Sequence, residues 1–162
     1  MDVRQAIASN LRQADFFIDA YLGDITPDEM MVRPVPGANH LAWQLGHLIS
    51  SEHRLVERVA PGTMPALPPN FAERHTKQTA ASDKADEFFS KEEYLQTLKQ
   101  VRASTLRVVE ILSPTELDRP VDKVPPMVKT AGQALLLIGG HWMLHAGQWA
   151  LLRRKLGRSV QF

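Results

Sequence analysis

The chain has 162 residues, 44% apolar and 23% charged, with a formal net charge of +1 and no cysteine. That length suits one domain, residues 1–162, with a core of its own. The missing cysteines exclude disulfides, thiolate metal ligands and a cysteine nucleophile, and the near-neutral balance offers no basic stripe for nucleic acid.

The apolar residues recur at helical spacing in four long segments. The first runs about Val3 to Leu22, with Val3, Ile7, Leu11, Ala14, Ile18 and Tyr21 on one stripe and Gly23 as its stop. Charged residues are spread through it, so it is no secretory leader. A proline-containing loop, Asp24 to Asn39, leads to a second helix. Asn39 is its expected N-cap, Ala60 its end, and Leu41, Leu45, Leu48, Leu55 and Val59 its stripe. The long connection from Pro61 to Phe89 carries four prolines. Connections of that length are commonly lids, and they permit a crossover between parallel helices.

Ser90 and Glu93 have capping-box spacing and start the third helix, whose stripe is Tyr94, Leu98, Val101, Val108 and Leu112. Ser113-Pro114 ends it. Thr130 and Gln133 suggest a second capping box, and Gly157 stops the fourth helix. No strand pattern survives, so the expected class is all-α, a four-helix bundle.

Ala131 to Leu152 holds no charged residue and is just long enough to span a bilayer. Two histidines and a glutamine on one stripe argue instead for a helix buried in a soluble bundle. The basic run Arg153, Arg154, Lys155 and Arg158 sits where cations complement a helix dipole.

The chemistry concentrates in the fourth helix. His141 and His145 stand one turn apart, which brings their Cβ atoms to about 5–6 Å and lets two imidazoles share one metal. At 100° per residue, Ala134, Ile138, His141, His145, Gln148 and Leu152 form one stripe. Burying such a ring without a partner costs about 1–3 kcal/mol, which a metal would offset. Core hydrogen bonding is the alternative. Trp142 and Trp149 read as core packing or a helix–helix dimer face.

A third ligand must come from elsewhere. His47 lies roughly 120° or more from the centre of its helix's apolar stripe, with Gln44, Ser51 and Arg54, the position of a surface histidine or of one lining an open end. His40 shares that side, while His53 and His75 read as surface or loop residues. Glu52 falls on the apolar line itself. There it is expected to be paired or protonated, with a general base or substrate contact as the functional alternative.

Three features, taken in order, carry a family resemblance. They are Trp43 to Leu48 with Gly46-His47-Leu48, the proline-rich Pro68-Pro69-Asn70-Phe71, and His141-x3-His145-x2-Gln148 with Gly147. The chain resembles the DinB/YfiT-like metalloenzyme family, the DinB-like domain. The resemblance implies an up-down-down-up bundle with the crossover between helices 2 and 3. It also implies a three-histidine site for nickel or zinc, with His47, His141 and His145 as ligands. Relatives of assigned activity use low-molecular-weight thiols, such as mycothiol-dependent isomerases and bacillithiol S-transferases.

The expected function is accordingly a metal-dependent, thiol-using S-transferase or related hydrolase acting on a small molecule. Gln148 and Glu52 are the candidates to orient substrate, and the Pro61–Phe89 connection is the candidate cover. The alternatives are a metal- or small-molecule-binding bundle without turnover and a metal-free dimerising bundle. A cytoplasmic location is expected, with no membrane and no nucleic-acid partner, and a homodimer is among the assemblies considered.

Overall fold

The computed structural model describes residues 2–160. Among the described residues all regular structure is helical: α1 (Val3–Leu22), α2 (Leu41–Val59), α3 (Lys91–Ile111), a short α4 (Pro114–Asp118) and α5 (Ala131–Lys155), with three 3₁₀ turns in the connections. No helix is long and apolar enough to cross a membrane.

Local chemistry explains the boundaries. Asp2 and Gln5 cap the start of α1 reciprocally, and Ser90 and Glu93 do the same for α3. At α2 the cap is His40 rather than Asn39, its Nδ1 accepting the Trp43 N–H at 3.1 Å. The other nitrogen of that ring donates to the Ser82 carbonyl at 3.1 Å, a tertiary contact that holds the ring in the capping position. Ser113 does end α3, but together with Glu116 it also opens α4, with Pro114 at the first helical position. The Thr130 box forms by half. Thr130 accepts from Gln133, whose side chain reaches Lys129 instead of the cap residue. Gly157 takes φ +70° just past α5.

Each long helix packs against two others, α1 on α5 and α3, α2 on α5 and α3. The core holds the expected stripes, except that Val3 is exposed at the end of α1. Trp142 and Trp149 are both 1% exposed and meet edge to face, so a dimer face built on them is excluded. The basic run is also tertiary structure rather than solvated helix end. Arg153 is buried, bonded to the Asp24 carboxylate and the Tyr21 carbonyl, and Arg158 pairs with Glu29.

Glu52 sits at the centre and is paired. Arg102 donates to both of its oxygens at 2.9 Å, Thr105 to one at 2.8 Å, and the Trp142 indole to the other at 2.8 Å. Arg102 in turn holds the Leu11 carbonyl and Asp15 on α1. All four long helices thus meet in one polar network inside an apolar core. Removing one partner leaves the other charge buried and uncompensated. Glu52→Ala is expected to cost about 3–5 kcal/mol in chemical denaturation. A loss below about 1 kcal/mol, the scale of an exposed pair, would contradict the network's role.

Candidate metal centre

His141 and His145 lie one turn apart on α5, with ring centroids separated by 5.0 Å. Across from them α2 supplies His47, whose ring centre is 5.2 Å from His141 and 5.7 Å from His145. One ligating nitrogen from each ring lies within 4.8 Å of the others. The three histidines form a group that can hold a metal ion. Of the two positions the helical wheel leaves for His47, the structure shows the second: it is half-buried, joins the cluster and lines an opening beside it, while much of the rest of α2 is enclosed.

Much of that enclosure comes from the Pro61–Phe89 connection. It packs behind His47 rather than over the open side of the cluster. The His75 ring occupies the space where a side chain at residue 46 would project, which makes Gly46 obligatory. Phe71 and Tyr94 fix that ring. Its Nδ1–H donates to the Phe71 carbonyl at 2.6 Å, and its Nε2 accepts the Tyr94 hydroxyl at 2.6 Å. Trp43, anchored by its indole N–H on the Thr76 carbonyl at 3.0 Å, stacks on His47 with centroids 4.8 Å apart and planes 8° apart. The connection therefore orients His47 from the rear.

His145 is oriented by Gln44. An indole N–H can only donate, so the Trp149 bond at 3.0 Å requires an acceptor and fixes which end of the amide is oxygen. The same oxygen lies 2.9 Å from His145 Nδ1, which must then carry its proton, leaving the Nε2 lone pair for a ligand. The amide nitrogen is held by the Asn39 carbonyl at 2.6 Å. This is the outer support that metal-ligating histidines require, and sequence reasoning missed it. The wheel groups Gln44 with His47, but its partners on α5, His145 and Trp149, are more than 100 positions away.

The remaining candidates separate cleanly. His40 and His75 are buried with both ring nitrogens engaged; His75 lies in the connection, as a loop residue, but its ring is turned into the core. His53 is half-buried and bonds the Pro65 carbonyl. Glu52 gives both carboxylate oxygens to the core network, so it offers none to the cluster. Gln148, one turn beyond His145, is half-buried, and its side chain makes no hydrogen bond among the described residues.

Electrostatics keep the cluster neutral. Burial depresses all three histidines below the ordinary value of 6.5, His47 and His145 to about 4, and the histidines' mutual repulsion and the Arg54 charge add to the effect. Neutral imidazole is the form that binds a cation. A cleft of about 380 Å³ opens on His47 and His141 from one side. Its roof is the segment between α4 and α5, not the connection expected to cover the site. That segment is closed by a bridge between Pro120 and Thr130.

Two outcomes test this geometry. Between pH 6.5 and about 4 the unfolded chain binds protons that the folded histidines refuse, so stability rises with pH there. In metal-free protein the contribution is complete above pH 6.5 and is lost as the pH falls toward 4. Urea midpoints measured across that window should decline; a flat profile would remove the buried neutral histidines. Gly46→Ala should destabilise by about 1–3 kcal/mol although alanine is the better helix former by about 1 kcal/mol, because His75 is pinned on both sides. A stabilised variant would show that the ring can move away.

Comparison with curated proteins returns no match. The family described as the DinB superfamily matches residues 17–149, a span that takes in the last turns of α1 and all three histidines of the cluster. The helical architecture and that match agree, and the chain belongs to the DinB superfamily.

Proposed function

We propose that this protein is a metal-dependent enzyme in which His47, His141 and His145 hold one divalent ion, nickel or zinc, and that it transfers a low-molecular-weight thiol to a small electrophile. The observation that carries the reading is the convergence of three neutral imidazoles, one ligating nitrogen from each, within 4.8 Å. The donor set fits such an ion, since three protein ligands with a further position left open are typical of catalytic rather than structural sites. Bound there, the cation would favour the deprotonated form of a thiol or water reaching it.

The chain's own residues do the rest. Gln44 holds His145 in the tautomer that presents Nε2, and Trp43 fixes the plane of His47. Gln148 has unused hydrogen-bonding capacity beside the cluster and is the residue we assign to orienting substrate. We assign Glu52 to structure, as its oxygens are fully engaged in the core.

An up-down-down-up bundle is the topology we favour. Asn10 abuts Gly139 and Tyr21 meets Arg153, which supports a parallel α1 and α5. Gln44 meets Trp149 while Glu52 meets Trp142, which supports an antiparallel α2 and α5. Ile18 lies near Leu98 and Ala8 near Val109, which supports an antiparallel α1 and α3.

Metal analysis of untagged protein is the first test, with one equivalent per chain expected. The His141→Ala/His145→Ala double variant should lose it, and His47→Ala should weaken binding by about tenfold or more. Full occupancy in the double variant would remove the site. Turnover is then assayed with a panel of low-molecular-weight thiols and a chromogenic electrophile, with and without chelator. Metal-dependent product is expected; bound metal without turnover for any thiol would favour a binding protein over an enzyme.

A further inference from the structure

The cleft beside the histidines is chemically two-sided. One face of α2 carries His47, Ser51, Arg54 and Arg58 at helical spacing, and all four line the cleft. Lys123 reaches it from the roof. Among the described residues, no aspartate or glutamate lines this space. Arg58 and Lys123 make no ion pair or hydrogen bond there, and Arg54 has only a long 3.5 Å contact to Ser51. In a chain whose net charge is +1, three cations around one small opening are a local concentration and not a reflection of composition, the acidic Glu57 and Asp122 lining the adjoining groove that Arg58 and Lys123 share.

The opposite wall is apolar. Val124 and Pro125 from the roof and Leu137 from α5 form it, and Met127 at its edge is 72% exposed, an unusual position for a large hydrophobic side chain. The roof also holds Lys123 at φ +57°, a left-handed conformation that a side chain adopts at a cost of order 1 kcal/mol or more. Such conformations gather at ligand sites. At about 380 Å³ the space lies at the small end of ligand pockets.

We propose that this cleft selects a small amphiphilic carboxylate, its anionic group gripped by Arg54, Arg58 and Lys123 and its short hydrocarbon or aromatic body laid against Val124, Met127 and Leu137. Two arginines one turn apart are suited to a carboxylate because each guanidinium presents paired donors that match its two oxygens. The body then leads toward His47 and His141. This deepens the enzymatic reading by naming the substrate class, and it rests on that reading only for what happens at the histidine end. Recognition of the anion is a property of the cleft itself.

The test is calorimetric titration of metal-free protein with 4-phenylbutyrate and with its neutral amide, repeated after metal loading. The acid should bind about tenfold tighter than the amide, in the metal-free protein as well as the loaded one, and the preference should shrink as salt rises from low to high. The triple variant Arg54→Gln/Arg58→Gln/Lys123→Gln changes only exposed side chains, so it should keep the wild-type melting temperature and bind acid and amide alike. Equal binding of the two by wild type, or no binding of either, overturns the proposal. A preference seen only with metal bound also overturns it, because the anion would then be held by the ion. Metal stoichiometry is measured separately. Loss of the metal reading with retention of the acid preference, or the reverse, tells the two apart.

Discussion

A carboxylate and a guanidinium buried at the centre of an apolar core need hydrogen-bond partners, and here each oxygen of the one and each nitrogen of the other finds at least one by drawing on all four long helices. Glu52 and Arg102 reach Thr105 on α3, Trp142 on α5 and Leu11 and Asp15 on α1. Apolar packing tolerates small slides along a helix; this network does not, because sliding by one residue would strand a charge. Replacing a buried ion pair by hydrophobic residues of similar volume is often neutral or stabilising, so what this network supplies is alignment.

The alignment matters most between α2 and α5. Glu52 clasps the Trp142 indole, and eight positions earlier on α2 Gln44 clasps His145 and Trp149. His47 lies between the two α2 residues, and His145 lies between the two tryptophans of α5. His47 and His145 are therefore held in a stretch of helix pair pinned at both ends, and His141 adjoins its Trp142 end. A site built on helices and braced in this way keeps its geometry better than one carried by loops. Rigid bracing also explains how three depressed, neutral imidazoles can be maintained side by side. The core stabilises the arrangement, and the histidines are desolvated as a result.

Much of this was legible in the sequence, for physical reasons that also mark the limits. The stripes of α1, α3 and α5 follow from helical periodicity, and the Ser90 end from capping chemistry; the Asp2–Gln5 box at the start of α1 went unread. His141 and His145 were legible because one helical turn fixes their relation without reference to anything else. Glu52 could be seen as buried and paired, yet its partner Arg102 lies 50 positions away, and no local rule connects them. For His47 the wheel left a surface histidine and one lining an opening as alternatives, and it could not choose, because the choice depends on α5 lying across from that side of α2. The Pro61–Phe89 connection packs elsewhere on α2, His75 on Gly46 and Thr76 on Trp43. Length alone marked that connection as a cover, but where a long loop lies is decided by what it packs against. The short α4 escaped notice because its Ser113-Pro114 start doubles as the end of α3.

The roof of the cleft has a separate mechanical status. Arg119 and Ala131 are bonded backbone to backbone at 2.9 Å, as are Val121 and Lys129 at 3.2 Å, so the chain leaves and rejoins the helical body at almost one point. What lies between is a pendant, tied off at its neck. Val121 and Val128 near the neck are buried in the core, while Lys123 and Met127 farther out are exposed, so exchange of the outer side chains leaves the register of α2 and α5 alone. The lining of the cleft can thus be retuned while the histidine cluster beneath stays unchanged, a modular split between doorway and chamber.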